Sequence, residues 1–325
     1  MSESAVPVSI ELLRTVPDAA YIVDRDRTVT SWNTAAEAIS GFGEREVLGH
    51  WCGGGMLSHV DGDGAPMCGD DQCPLLGTML DGQPRQTRVL LHHRAGHLVP
   101  VVIEATPVRD GQGDIVGAME TFRPDTERFA EPAPAGESRA ATDVDPVTGL
   151  GTRGALEVRL AERLVASSRG GAQVGVLMCG VDDFVDIAGS HGHPVADRAL
   201  QVLARTFEHC LPGPGRTFRY GHGFVGLMAH DELLARATQL CAFLEASRIA
   251  LPDEVLHVTA SIGATMAHPG EDYADVLHRA SRLLGAAQRA GGSCVVTDVA
   301  RDAAASDEAA GGGPRPSGSE CQPAD

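Results

Sequence analysis

Between Arg123 and Asp145 the chain reads RPDTERFAEPAPAGESRAATDVD, a run of Pro, Ala, Glu, Ser and Asp with little apolar bulk. Pro132 and Pro134 each lack a backbone donor and clash with a preceding helical turn, so no continuous helix can cross this stretch. Whatever folds on either side must bury its own core. The 325 residues suit that division, because two blocks of roughly 100 to 170 residues can each enclose one. Four segments are expected: a first domain over 1–123, a linker over 124–144, a second domain over 145–300, and a disordered Gly/Pro/Ser/Ala-rich tail over 301–325.

Composition narrows the partners. Hydrophobic residues make up 43%, yet no run approaches the ~20 apolar residues that span a bilayer. The start MSESAVPVSIELL has neither a basic nor an apolar leader region, so a cytoplasmic protein without a membrane segment is expected. A formal charge of -18, from 44 acidic against 26 basic residues, repels a phosphate backbone and argues against nucleic acid as a partner. In a reducing compartment the eight cysteines read as thiols or ligands rather than a disulfide framework.

In the first block, an apolar strand Ala20 to Val23 is followed by the turn Asp24-Arg25-Asp26-Arg27 and an alternating strand Thr28 to Trp32. After a helical middle, strands are expected at Arg88 to His93, Leu98 to Val108 and Ile115 to Phe122, joined by turns at 94–97 and 110–113. The order, with PDAAYIVDRDRTVTSWNTAAEAISGFGEREVLGH in front and HRAGHLVPVVIEATPVRDGQGDIVGAMETF behind, resembles a PAS domain. The resemblance implies a five-strand antiparallel sheet with flanking helices, used as a ligand pocket or a dimerisation surface.

Within this block Cys52, His59, Cys68 and Cys73 follow the spacing C-x6-H-x8-C-x4-C. Three thiols and an imidazole form a donor set that suits tetrahedral zinc, and cysteine-rich sets also hold iron–sulfur clusters. A Cys68–Cys73 thiol–disulfide switch and plain loop cysteines are the other readings. The insert resembles a cysteine-containing variety of PAS domain found ahead of GGDEF domains. His92, His93 and His97 are expected as exposed strand and turn residues. Cys179, Cys210, Cys241 and Cys294 are expected as small core residues.

The second block opens with DPVTGL and runs through VGVLMCGVDDF, Gly192-His193 with Asp197, Arg219-Tyr220-Gly221, and Ser261-Ile262-Gly263, strand alternating with helix. In that order these resemble a GGDEF domain, which implies a mixed sheet surrounded by helices, an α+β or α/β fold overall. The family makes cyclic di-GMP from two GTP with metal-bound phosphates, so carboxylates are required to hold the metals. Here the first metal Asp falls on Gly180, leaving Asp182. The hairpin R-x-G-G-D/E-E-F becomes Arg219-Tyr220-Gly221-His222-Gly223-Phe224, one residue shorter and without an acid. The guanine-reading Asn falls on Ala188, its Asp on Asp197. The inhibitory R-x-x-D falls on 212–215, and a late phosphate-contacting Lys on Gln288.

The resemblance thus implies no catalytic residues and no bound Mg²⁺ or GTP, with Asp182, Asp197, Arg219 and Gly221 as a vestigial nucleotide site and Cys52, His59, Cys68 and Cys73 as the metal set. The expected protein is a signalling homodimer, or a partner of another cyclic di-GMP protein, in which the sensor reads redox state, metal or a small ligand. An active diguanylate cyclase and a GTP-binding switch without turnover are the alternatives.

Overall fold

The computed structural model describes residues 13, 16–54, 56–69, 72–126, 143–213, 215–229, 233–251, 254–299 and 319–320. Most of the expected linker and tail lies outside the described residues. The chain divides into two compact units, Met1–Arg128 and Phe129–Asp325.

The first unit holds a six-stranded antiparallel sheet in the order β2-β1-β6-β5-β4-β3. Its strands are β1 (Ala19–Asp24), β2 (Val29–Trp32), β3 (His59–Val60), β4 (Arg85–His92), β5 (Leu98–Arg109) and β6 (Ile115–Pro124). These are the five expected strands plus the two-residue β3. The turn between β1 and β2 forms because Asp24 Oδ1 accepts from the backbone N–H groups of Asp26 and Thr28. Asn33 then caps helix α1 (Thr34–Ser40), its side chain accepting from the Ala36 N–H, and Gly41 closes that helix at φ 75. Helices α2 (Glu44–Val47) and α3 (Pro74–Asp81) also belong to the unit. Tyr21, Trp32 and Phe122 pack ring against ring at 5.5–6.3 Å in its core.

The second unit is a mixed sheet in the order β14-β13-β12-β7-β9-β8. Central β7 (Val174–Val181) is buried along its whole length, which is why its sequence VGVLMCGV shows no polar alternation. It pairs antiparallel with β9 (Gly223–Ala229) and β12 (Ala260–Met266), while β8 (Thr217–Tyr220) forms the hairpin with β9. A separate hairpin joins β10 (Arg248–Ala250) to β11 (Val255–His257). On one face pack α4 (Arg153–Ser168) and α8 (Tyr273–Arg289), through Leu156, Leu160, Val276 and Ala280. Also present are α5 (Phe184–His191), α6 (His193–Cys210) and α7 (Leu233–Ala246), and Phe207 of α6 meets Phe224 of β9 at 5.5 Å.

Two expectations are corrected here. β13 (Cys294–Thr297) pairs in parallel with β14 (Ser319–Glu320), so part of the stretch expected as disordered adds a strand to the exposed backbone groups of an edge. Cys294 is buried as expected, but it is disulfide-bonded rather than a plain core thiol.

Candidate functional site

Each unit holds a chemically distinct cluster of its own. In the second unit a cleft of about 520 Å³ opens at the C-terminal end of β7, lined by Gly180, Asp182, Phe184, His222, Gly223 and Gln288, among others. The β8–β9 hairpin turns through Gly221 and His222, with Gly221 at φ 59 in the first central position, where a two-residue turn of the II′ kind calls for glycine. His222 stacks on Phe184 at 4.5 Å, and Gly180 and Gly223 face one another across the β7–β9 ladder.

Neither of those glycines has free space beside it. A Cβ on Gly223 would stand 1.9 Å from the Cys179 carbonyl oxygen, and one on Gly180 would stand 2.9 Å from Gln288 Nε2 and 3.0 Å from Leu284 Cδ2. Asp182 is buried, and both oxygens of its carboxylate accept hydrogen bonds from the protein. Oδ1 accepts from Ser261 Oγ at 2.7 Å, and Oδ2 accepts from Thr259 Oγ1 and the Ser293 N–H, both at 2.9 Å. One side chain thereby ties the end of β7 to the start of β12 and to the turn before β13.

The other expected nucleotide residues are not gathered in the cleft. Asp197 is exposed on α6, and Arg219 donates from Nε to the Gly221 carbonyl at 2.6 Å, near the charges of Asp145 and Asp197. Burial pulls the Arg219 guanidinium below its ordinary value, against those two carboxylates. Gly263 is needed for packing, since a Cβ there would stand 2.3 Å from the Leu284 backbone nitrogen. Of the 212–215 stretch, residue 214 lies outside the described residues.

In the first unit, His59 and Cys68 stand beside two residues that sequence reading passed over, Tyr21 and Glu120, and Cys52 and Cys73 are buried in the same core cluster as Tyr21. Tyr21 and Glu120 are register partners across β1 and β6, and the Tyr21 hydroxyl donates to Glu120 Oε1 at 2.9 Å. His59 Nε2 lies 3.5 Å from the same oxygen, while its Nδ1 lies 3.8 Å from Cys68 Sγ. The His59 backbone N–H also donates to Cys68 Sγ at 3.2 Å. Glu120 Oε2 is buried with no hydrogen-bond partner.

Burial dominates the electrostatics of this cluster. It pushes the Glu120 carboxyl up to about 8 against the Tyr21 hydrogen bond, and it pulls His59 down to about 4, with help from His92. The Cys68 thiol is raised to about 11, again by burial first, and Cys52 is raised further, with Glu120, Cys68 and Cys73 each adding to the effect. Cys52, Cys68 and Cys73 are free thiols. Among the described residues, no three His, Cys, Asp or Glu side chains surround a common point at metal-ligand spacing. The neighbouring histidines differ from expectation: His92 and His97 are buried, because His92 Nδ1 sits 3.0 Å from the Ser58 carbonyl and His97 stacks on His93 at 4.2 Å.

The family described as "PAS fold" matches residues 13–130, and "Diguanylate cyclase, GGDEF domain" matches residues 142–294. The chain carries a PAS domain followed by a GGDEF domain. Diguanylate cyclase DgcP of Pseudomonas aeruginosa is 31% identical over 160 residues, covering 48% of this chain and 24% of the relative. Diguanylate cyclase DosC of Escherichia coli is 27% identical over 159 residues, covering 47% of this chain and 35% of the relative. The chain therefore spans no more than about a third of the length of these curated relatives. Among solved structures, diguanylate cyclase SiaD in complex with its activator SiaC, from Pseudomonas aeruginosa, matches with 31% identity over 48% of this chain and 62% of that one, at a TM-score of 0.46. Among the described residues no helix is long and apolar enough to cross a membrane.

Proposed function

We propose that this protein is a bacterial signalling protein whose PAS domain receives an input and whose GGDEF domain passes it on by dimer or partner contacts, without making cyclic di-GMP. The observation that carries this reading is the state of Asp182. It is the acid retained in the strand-end motif, and its oxygens are occupied by Thr259, Ser261 and Ser293. A carboxylate held by three protein donors is anchored to the fold, so a cation would have to compete with those donors for its oxygens. The two glycines at the family's other acidic positions support the same conclusion, since Gly223 cannot carry a side chain where it stands.

The input reading rests on the buried thiol–imidazole–carboxylate cluster of the PAS domain, which suits a metal ion or a redox change.

The test is turnover of GTP by the full chain with Mg²⁺ or Mn²⁺, reading cyclic di-GMP by chromatography. No product above the no-enzyme control is expected, and formation of cyclic di-GMP would overturn the reading. The cleft beside Asp182 favours one other possibility, a nucleotide switch without turnover. Labelled GTP retained by the wild type and lost in His222→Ala, at the wall of that cleft, would support the switch, and no binding at millimolar GTP would remove it.

A further inference from the structure

The cleft at the C-terminal end of β7, about 520 Å³, falls in the size range of small-ligand sites. Its lining includes three carboxylates, Asp182, Asp183 and Asp186, and among the described residues no arginine or lysine. Asp182 is tied into the fold by Thr259, Ser261 and Ser293. Asp183 and Asp186 are exposed, and Asp183 stands ahead of α5 without using its side chain as a cap. The N-terminus of α5 carries about half a positive charge, which the two carboxylates at its start more than offset. Even a protonated His222 would leave the sum below zero.

Such a lining repels a triphosphate unless cations bridge the two. The acids offer no bridging point, because among the described residues no three His, Cys, Asp or Glu side chains surround a common position at metal-ligand spacing. The same geometry disfavours a compact metal ion and leaves an extended cation as the species that the charge attracts. The rest of the lining sets its shape. Exposed His222 stacks on half-buried Phe184 at 4.5 Å with the ring planes 20° apart, and Val181, Val185, Tyr220 and Leu284 add apolar surface. Asp183 and Asp186 flank Phe184 along the chain, so acids and ring share one wall. A charged end for carboxylates and a flat body for an aromatic face are what an aryl amidinium or guanidinium presents.

We propose that the cleft of the GGDEF domain binds a small organic cation of the amidine or guanidine class, its charged end at Asp183 and Asp186 and its flat apolar body against the Phe184–His222 pair. The proposal rests on the reading that this domain makes no cyclic di-GMP, and gives the vacated chemistry a ligand of opposite charge to GTP. The domain then receives a small-molecule input of its own.

The experiment uses the full chain, with benzamidine as the probe and benzoate, the same ring carrying the opposite charge, as its control. Binding is followed by ligand-detected NMR at low salt, and cyclic di-GMP formation from GTP and Mg²⁺ is measured on the same preparation. Saturable benzamidine binding is expected, with benzoate and GTP binding far more weakly. Asp183→Asn/Asp186→Asn should weaken benzamidine by about 5- to 10-fold, the loss of two exposed charge pairs, and His222→Ala should weaken it as well. Asparagine suits residue 183, at φ 51, because it tolerates the left-handed backbone as aspartate does. Absence of benzamidine binding, equal binding of benzoate or GTP, or an unchanged affinity in the double variant would each overturn the proposal. Should that variant fail to fold by circular dichroism, raising salt from about 0.05 to about 0.5 M replaces it, and a wild-type affinity that does not fall is equally damaging. Formation of cyclic di-GMP would remove the underlying reading. With no product and no benzamidine binding, only the cation site falls.

Discussion

In the GGDEF domain Asp182 receives a hydroxyl on each oxygen and a backbone N–H besides, all from the protein itself. In the PAS domain Glu120 receives one hydroxyl, faces an imidazole at 3.5 Å, and keeps its second oxygen buried without a partner. Both carboxyls are buried, Glu120 in the middle of β6 and Asp182 just past the end of β7, so burial alone does not separate them. The difference lies in what fills their valences. Asp182 staples three segments, whereas Glu120 keeps one buried oxygen unpartnered and faces His59 with the other. The comparison teaches that a family's retained acid can be structural while an unremarked strand residue in the other domain carries the unsatisfied chemistry.

The largest expected effect breaks the staple. Asp182→Ala leaves Ser261, Thr259 and the Ser293 N–H facing a void, and hydrogen bonds to a charged group are worth about 1.5–3 kcal/mol each. A loss of about 4 kcal/mol in the GGDEF transition is expected by urea denaturation. A loss below about 1 kcal/mol would mean that Asp182 is free for a ligand after all, and the contrast with Glu120 would fail.

A somewhat smaller effect tests whether the missing acids could return. Gly223→Ala, the smallest step toward the family's carboxylate, drives a methyl into the Cys179 carbonyl oxygen, where the backbone rather than a flexible side-chain tip must give way. A cost of about 3 kcal/mol is expected, at the upper end for overpacking a tight site. Thermal unfolding of the full chain measures it. A neutral outcome would show that the hairpin can be lifted off β7, reopening room for an acid and weakening the distinction between a closed cleft and an open cluster.

Much of this was legible in the residues. DPVTGL folds as the turn its composition suggests: Asp145 Oδ1 accepts from Val147 N–H and from both the N–H and hydroxyl of Thr148, and Gly149 takes φ 77. The alternation of strand and helix read for the second block is the order found, with helices at Leu233–Ala246 and Tyr273–Arg289 among them. Of the spaced Cys/His set, His59 and Cys68 stand side by side, while no three members surround a common point. Glu120 was missed because charged residues in strands usually face solvent and its partner Tyr21 lies 99 positions away. A signal existed: Ala118, Glu120 and Phe122 share one strand parity, and the first and last are core residues, so Glu120 had to point inward. The engagement of Asp182 was not legible, because Ser293 reaches it only after the α8–β13 turn is folded. The burial of His92 and His97 likewise depends on where β4 packs, which strand periodicity does not fix.

The smallest effect concerns the open cluster, and it changes with conditions in a way that a stapled one would not. Tyr21→Phe removes the hydroxyl aimed at Glu120 Oε1 while keeping the ring against Trp32 and Phe122. In metal-free protein the loss should be about 1 kcal/mol, that of a single hydrogen bond to a carboxyl that is already incompletely satisfied. With Zn²⁺ in excess the loss should grow. Ligand binding stabilises the fold in proportion to the logarithm of its affinity, and a Glu120 released by Tyr21 orients His59 less firmly. Urea denaturation of wild type and variant, each with and without Zn²⁺, gives the four values of this cycle. A zinc-dependent excess ties Tyr21 to the ion through Glu120 and His59. An equal loss in both conditions makes the Tyr21–Glu120 bond a plain core contact, leaving the PAS carboxyl no more open to a ligand than Asp182.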